Sequence, residues 1–368
     1  MDCADAMDAG LPDVAGRRGK SDIIVEGEPM RYARLGNSGL IVSRMAFGTM
    51  TMGSGMAPSL ARLGASESDR LIHQALDAGV NFFDTANVYH AGESERFLGA
   101  ALGDRRNDAV IATKVGMRMS KRLDESGLSA RNINQSLDAS LERLGTDHVD
   151  LLLCHRNDPT TPLEETLAAL DRVVQAGKVR YIGFSNWPAW EAAKAVALQK
   201  ANGWAPFVTG QMYYSLVCRD IEHDYVPFAL DAGVGTMVWS PLAGGFLSGK
   251  YTREDPTGGG GRVATLDIVP IDRDRGYAIV DVLRAIADER RTAVAAIALA
   301  WLADQPSVST VIMGFANESQ MKQNLDASDL VLTAQERVRI EAVATIDPIY
   351  PHSFLARFAK DPAVASVQ

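Results

Sequence analysis

The sequence is poor in cysteine. It has three in 368 residues (Cys3, Cys154 and Cys218), at spacings that fit neither a disulfide framework nor a metal site. A reducing, cytoplasmic setting therefore suits it, and no metal ligand set is expected. Long apolar runs are also missing: none approaches the roughly 18 residues that a membrane span needs. The first 30 residues lack the apolar centre of a secretory signal. Nor is there a basic stripe, and a net charge of −9 argues against nucleic acid as a partner. What the chain does have is apolar content, 46%, enough to bury a large core. Its length permits two domains or one α/β barrel with insertions.

Residues 1–30 mix Asp, Gly, Ala and Arg without periodicity and are expected to be a flexible extension, with a single domain over 31–368. From Tyr32 to Val42, the turn Leu35-Gly36-Asn37-Ser38-Gly39-Leu40 between short apolar segments predicts a hairpin. Strand-like runs then alternate with helical patterns. The runs start at Met45, Phe82, Ala109, Val149, Val179, Phe207, Thr236 and Thr310. Ser129 is placed to cap a helix with Ile133, Leu137, Leu141 and Leu144 on one face. Thr161-Pro162-Leu163-Glu164 reads as a capping box. Eight strand–helix steps predict a (β/α)8 TIM barrel with an N-terminal hairpin and an extra C-terminal helix from Ala334.

Three successive strand ends carry chemistry. Phe82-Phe83 leads into Asp84, Ile111-Ala112-Thr113 into Lys114, and Leu151-Leu152-Leu153-Cys154 into His155, with Tyr89 five residues beyond Asp84. A buried Asp needs a cation, and barrel sites lie at the C-terminal ends of strands. Lys114 beside Tyr89 is expected to lower the phenol pKa from about 10, making a proton donor for a carbonyl oxygen. His155 is expected to donate a second hydrogen bond to that oxygen. Taken singly, each has a plainer reading: a turn cap, a solvent lysine, a packed tyrosine, a core histidine. Their order at consecutive strand ends favours the functional one.

With these residues in view, the chain resembles the aldo-keto reductase family from Arg31 to about Asp329. The family's Asp-Tyr-Lys-His tetrad matches Asp84, Tyr89, Lys114 and His155, and Gly92-Glu93-Ser94-Glu95 continues its first signature. The resemblance implies reduction of an aldehyde or ketone, or the reverse. Hydride would come from nicotinamide C4 and the proton from Tyr89. It implies cofactor contacts at Thr49, at Ser185, Asn186 and Gln211 for the carboxamide, and at Tyr214 for the ring face. Trp239, Ser240, Pro241, Leu242, Gly244 and Lys250 resemble its pyrophosphate stretch. Gly314, Gln320, Gln323 and Asn324 resemble its adenosine segment. Arg262, beside Gly258-Gly259-Gly260-Gly261, resembles part of a loop that folds over the dinucleotide. Ala316 stands where the family often has a residue for the 2′-phosphate, so NADPH is expected with a narrow preference and NADH remains usable.

A second class stays open: a cofactor-sensing regulatory subunit with slow turnover, because relatives of this fold accompany channels. His155 weighs against it, since that branch carries Asn there. The partner expected is a small carbonyl compound, with no nucleic acid and no membrane.

Overall fold

A computed structural model describes residues 22–24, 30–54, 63–259, 271–315, 317–325 and 327–358. Three short antiparallel strands come first: β1 (Ile23–Ile24), β2 (Arg31–Arg34) and β3 (Ile41–Ser43). Strands and helices then alternate. β4 (Met45–Gly48) leads to α1 (Ala65–Asp77), β5 (Phe82–Asp84) to α2 (Glu93–Leu102), and β6 (Val110–Val115) to α3 (Ala130–Leu144). β7 (Val149–Cys154), α4 (Leu163–Gln175), β8 (Val179–Ser185), α5 (Ala189–Asn202), β9 (Phe207–Tyr213) and α6 (Tyr225–Ala232) follow. Last come β10 (Gly235–Trp239), α7 (Arg273–Arg290), α8 (Val294–Ala303), β11 (Val308–Met313), α9 (Glu318–Leu325) and α10 (Ala334–Ala344). Strands β4 to β11 close into an eight-stranded barrel, every neighbouring pair parallel. This is the (β/α)8 architecture expected from the alternation. Asp22–Ala344 form one compact unit; the described residues from Thr345 on, with α11 (His352–Leu355), belong to another.

Side chains alternate across each stave, so the barrel sorts its apolar residues into two populations. Ala46, Phe82, Ala112, Leu151, Leu153 and Met237 fill the interior together with Leu35 and Val42 of the hairpin. Phe47, Phe83, Ile111, Leu152, Phe184 and Val238 face outward into the helices. Each such side chain buried stabilises by roughly 1.5–3 kcal/mol.

The hairpin closes the N-terminal end of the barrel. Asn37 N donates to Gly233 O at 2.9 Å. Gly36 (φ 58°) fits only without a side chain: a Cβ would lie 2.3 Å from Val208 O. Arg44, 1% exposed, fastens this end. Its guanidinium donates to Val308 O at 2.6 Å, to Ser309 O at 3.0 Å and to Ala303 O, and its Nε lies 3.2 Å from Asp22 Oδ1.

Some local expectations are corrected. Ile23–Ile24 pairs with β2 (Ile23 opposite Tyr32), so strand structure reaches into the stretch expected to be an extension. Residues 1–21 and 25–29 lie outside the described residues. Thr161 does not cap α4: that helix starts after Pro162, and the Thr161 hydroxyl donates instead to Asp158 Oδ2 at 2.6 Å. The first turn of the helix closes instead on Pro162 O, which accepts from Glu165 N and Thr166 N. Ser129 does cap α3, accepting from Asn132 N. No helix among the described residues is long and apolar enough to cross a membrane.

Replacing Arg44 by Met leaves three buried carbonyls without this donor and removes one of the two cations on Asp22, Arg31 being the other. Losing one partner of such a network costs about 3–5 kcal/mol, so Arg44→Met should lower Tm by several degrees or more. Arg44→Lys should recover part of the loss. Calorimetry checks both, and an unchanged Tm for Arg44→Met would show that the guanidinium carries no load.

Candidate active site

The alternation that places Phe82, Ala112 and Leu153 inside the barrel also turns Asp84, Lys114 and His155 inward, two residues further along each stave. All three therefore meet at the C-terminal mouth. Tyr89 reaches them from the turn after β5. The chain leaves that tyrosine through three left-handed residues, His90 (φ 50°), Ala91 (φ 54°) and Gly92 (φ 88°). A ring nitrogen of His90, Nε2, lies 3.0 Å from Met50 O and ties this turn to the loop after β4.

Lys114 is fully buried, and its three ammonium donors are all used. They reach Asp84 Oδ2 at 2.7 Å, Thr85 O at 2.9 Å and Tyr89 Oη at 3.1 Å. Because the phenol oxygen accepts from Lys114, its own proton is free to point elsewhere. The Tyr89 and His155 rings meet edge to face, with centroids 5.9 Å apart. Asp84 Oδ1 accepts from Gln211 Nε2 at 2.7 Å.

Burial opposes a charged Lys114, but Asp84 and Tyr89 outweigh it and hold its pKa above the usual value. For Tyr89 the balance falls the other way. Burial, the largest influence, and Asp84 raise its pKa, and the lowering by Lys114 does not compensate. The expectation of a lowered phenol pKa is thus corrected: burial, aided by Asp84, outweighs the lysine charge, so Tyr89 stays a neutral phenol. His155 is pushed down to about 3 by burial and by the charges of Lys114 and Arg156, so it is neutral. Its Nδ1 is sealed from solvent without a partner.

The residues expected at a cofactor fall into distinct groups. Ser185, Asn186 and Trp239 form one network at the mouth. Ser185 Oγ donates to Gln211 O at 2.9 Å, and Asn186 Nδ2 donates to Ser185 Oγ at 2.9 Å and to His155 O at 3.3 Å. Trp239 Nε1 donates to Asn186 Oδ1 at 3.0 Å. Thr49 is wholly buried, its hydroxyl taken up by Ser94 at 2.7 Å and Asp84 O at 3.1 Å, so it presents no polar atom to a ligand.

Tyr214 is a correction. It is 1% exposed, packs its ring edge to face on Trp301 and donates its hydroxyl to Glu222. Gln211 faces inward, so Tyr213, two residues on, does as well, while Tyr214 faces the helices. Tyr213 packs against Trp239 with ring centroids 5.0 Å apart. Period-two counting from Gln211 was the signal that finds Tyr213. The Thr85 carbonyl that holds Lys114 leaves no mark in the sequence.

After β10 the chain bends through Ser240 (φ 51°), Ala243 (φ 49°), Gly244 (φ 67°) and Gly245 (φ 96°). Pro241 and Leu242 lie within this bend. Gly244 N donates to Ser240 Oγ at 3.1 Å and Gly245 N to Leu242 O at 2.9 Å, so the turn is held by its own bonds. Lys250 folds back over it: a Cβ on Gly245 would lie 3.5 Å from Nζ. That ammonium stands 5.0 Å from the Tyr251 ring and has no carboxylate partner among the described residues. An unneutralised cation over a concave turn, beside two aromatic faces and an amide network, suits a dinucleotide with a flat polar ring and an anionic linker.

Gly314 follows β11 with open space where a Cβ would stand. Gln320 and Gln323 are exposed on α9 and Asn324 is 7% exposed. Arg262 and Ala316 lie outside the described residues. No cluster of three or more His, Cys, Asp or Glu among the described residues could hold a metal ion.

Comparison with known proteins gives the chain its family. The chain is 36% identical over 342 residues to an Arabidopsis thaliana protein named "Probable voltage-gated potassium channel subunit beta", across 88% of this chain and 100% of that one. It is 33% identical over 346 residues to versiconal hemiacetal acetate reductase of Aspergillus parasiticus, across 88% and 99% of the two chains. Aldo-keto reductase AMT2 of Alternaria alternata is 35% identical over 352 residues, across 88% and 94%. With residues 44–345 matched by the model of the Aldo/keto reductase family, this chain belongs to that family.

Proposed function

We propose that this oxidoreductase reduces an aldehyde or ketone to an alcohol with NADPH, and that Tyr89 is the proton donor. The observation that carries the reading is the Lys114 Nζ to Tyr89 Oη bond of 3.1 Å, which leaves a neutral phenol with its proton unspent. Bound at the mouth, the nicotinamide supplies hydride to the carbonyl carbon. Tyr89 gives its proton to the carbonyl oxygen, and the Lys114 ammonium stabilises the phenolate left behind. His155, neutral, donates a second hydrogen bond to that oxygen and orients the substrate. Ser185, Asn186 and Gln211 would hold the carboxamide, with Tyr213 and Trp239 along the ring. The turn from Ser240 to Gly245 and Lys250 would meet the pyrophosphate, and Gln320, Gln323 and Asn324 the adenosine. Cys154 and Cys218 are free thiols, which supports a reducing, cytoplasmic setting.

A second reading, a coenzyme-binding regulatory subunit, draws on the name of the Arabidopsis relative. Tight coenzyme binding with turnover far below about 1 s⁻¹ on every carbonyl would favour it.

Tyr89→Phe tests the first reading. It should lower turnover by at least about 10²-fold while coenzyme binding, read by quenching of the intrinsic tryptophan fluorescence, stays near wild type. A variant retaining a tenth of the wild-type rate would remove Tyr89 from the role.

The pH profile follows from the two shifted groups. Tyr89 is competent while protonated and its pKa stands above 10.0, whereas His155 is neutral above about 3. Reduction should therefore run at a constant kcat/KM from about pH 5 to 9 and decline only at higher pH. A descending limb centred near neutrality would mean that Lys114 does lower the phenol pKa.

Coenzyme choice turns on the 2′-phosphate, about two negative charges. Ala316 brings neither charge nor donor to the position where the family often has one, so NADPH should be preferred over NADH by only roughly 1–2 kcal/mol, about 5- to 30-fold in kcat/KM. Ala316→Arg should widen that ratio. A wild-type preference beyond about a thousandfold would assign the 2′-phosphate to other residues.

A further inference from the structure

Gln211 lies on β9 and Asp84 on β5. Those staves are four steps apart either way round a ring of eight, so they face each other across the barrel. Their side chains nonetheless meet, Gln211 Nε2 donating to Asp84 Oδ1 at 2.7 Å. Both residues are 3% exposed. Only the amide nitrogen can donate to a carboxylate, so the orientation of this amide is determined by its partner. Asp84 is consequently gripped from two sides, by Gln211 on one oxygen and by Lys114 on the other at 2.7 Å.

The second grip matters because of where the carboxylate sits. Without Gln211, Oδ1 would be a buried anionic oxygen lacking a donor. Rotation of the carboxylate toward Lys114, or uptake of a proton, would relieve that cost. Either response changes the ammonium that also holds Thr85 O and Tyr89 Oη. We propose that Gln211 is a positioning residue for the Tyr89 proton donor, acting through Asp84 and Lys114 by a hydrogen bond across the barrel. The inference rests on the reading of Tyr89 as the donor. It differs from a contact with the carboxamide, for which Gln211 retains Oε1.

The two roles separate in a double-mutant cycle. Gln211→Met keeps the length and removes the donor; Asp84→Asn removes the charge it serves. Acting through Asp84, Gln211→Met should lower kcat at saturating coenzyme by at least about tenfold. The coenzyme Kd should rise as well, by up to about tenfold, because the substitution also removes the Oε1 that would hold the carboxamide, and saturating coenzyme takes that loss out of kcat. In the Asp84→Asn background the same substitution should change kcat little, a coupling expected of residues in one hydrogen-bonded network. A tenfold rise in Kd with unchanged kcat, or additive losses, would overturn the proposal.

Urea midpoints of the four coenzyme-free proteins give a readout that needs no turnover, and they should show the same coupling. If Tyr89→Phe keeps its activity, the donor reading fails, while the urea cycle still decides whether the cross-barrel bond exists. Should Gln211→Met fold poorly, Gln211→Asn, which keeps the amide but shortens its reach, should reproduce the kcat loss.

Discussion

A lysine ammonium and an aspartate carboxylate lie 2.7 Å apart at the mouth of the barrel, almost wholly out of water, and the site depends on how that pair is kept ionised. Burial of an ion pair is weak evidence for stability, because desolvation can cancel the attraction between the charges. What the pair contributes is geometry. Every donor on Lys114 and both carboxylate oxygens of Asp84 are engaged, so neither charge can turn away without exposing an unmet buried group. The phenol of Tyr89 is located by the last of those donors. Its position follows from the arithmetic of hydrogen bonds on one ammonium.

Burial and the same pair together decide the protonation of the neighbours. An isolated lysine beside Tyr89 would draw the phenol toward ionisation, which is the expectation that residue types alone produce. Burial is the largest influence, Asp84 adds to it, and together they outweigh the lysine. His155 is held uncharged mainly by burial, with Lys114 and Arg156 adding as like charges. A neutral phenol and a neutral imidazole are the forms that donate hydrogen bonds to a carbonyl oxygen without repelling each other. The site thus holds its donors ready by burying them uncharged.

The barrel, and the meeting of Asp84, Lys114 and His155 at its mouth, were legible in the sequence for one reason: both are written in periods. Apolar runs at strand spacing mark eight staves, and a charged or polar residue ending three of them marks the mouth. Elsewhere the period went unused or does not operate. Tyr213 and Tyr214 are equivalent as letters, and only the inward sense of Gln211 separates them. Thr49 was chosen by resemblance, but its hydroxyl is turned into a buried network with Ser94 and Thr85 that single residues do not announce. The cap expected of Thr161 was lost to Asp158, whose carboxylate accepts from Leu128 N, Thr160 Oγ1 and Thr161 Oγ1 and so binds the loop after β6 to the loop after β7. Long-range acceptors of this kind are invisible to local pattern.

The turn behind Tyr89 shows what it takes to hold a reactive group on a loop rather than on a stave. His90 and Ala91 adopt left-handed backbone that costs a residue with a Cβ roughly 1–2 kcal/mol each. Such strain persists only where the surroundings over-determine it, and here they do. The His90 ring is tied to Met50 O, Glu93 accepts from Ser54 N, and the Arg143 side chain fills the space beside Gly92, where a Cβ would lie 2.4 Å from its Cδ. Arg143 in turn is fixed by Glu95, which is fully buried and also accepts from Thr113 on β6. Thr113 precedes Lys114. The strained turn and the lysine are therefore braced from the same stave, on its outer and inner faces, and the distance between Tyr89 and Lys114 is set by two independent routes through the fold.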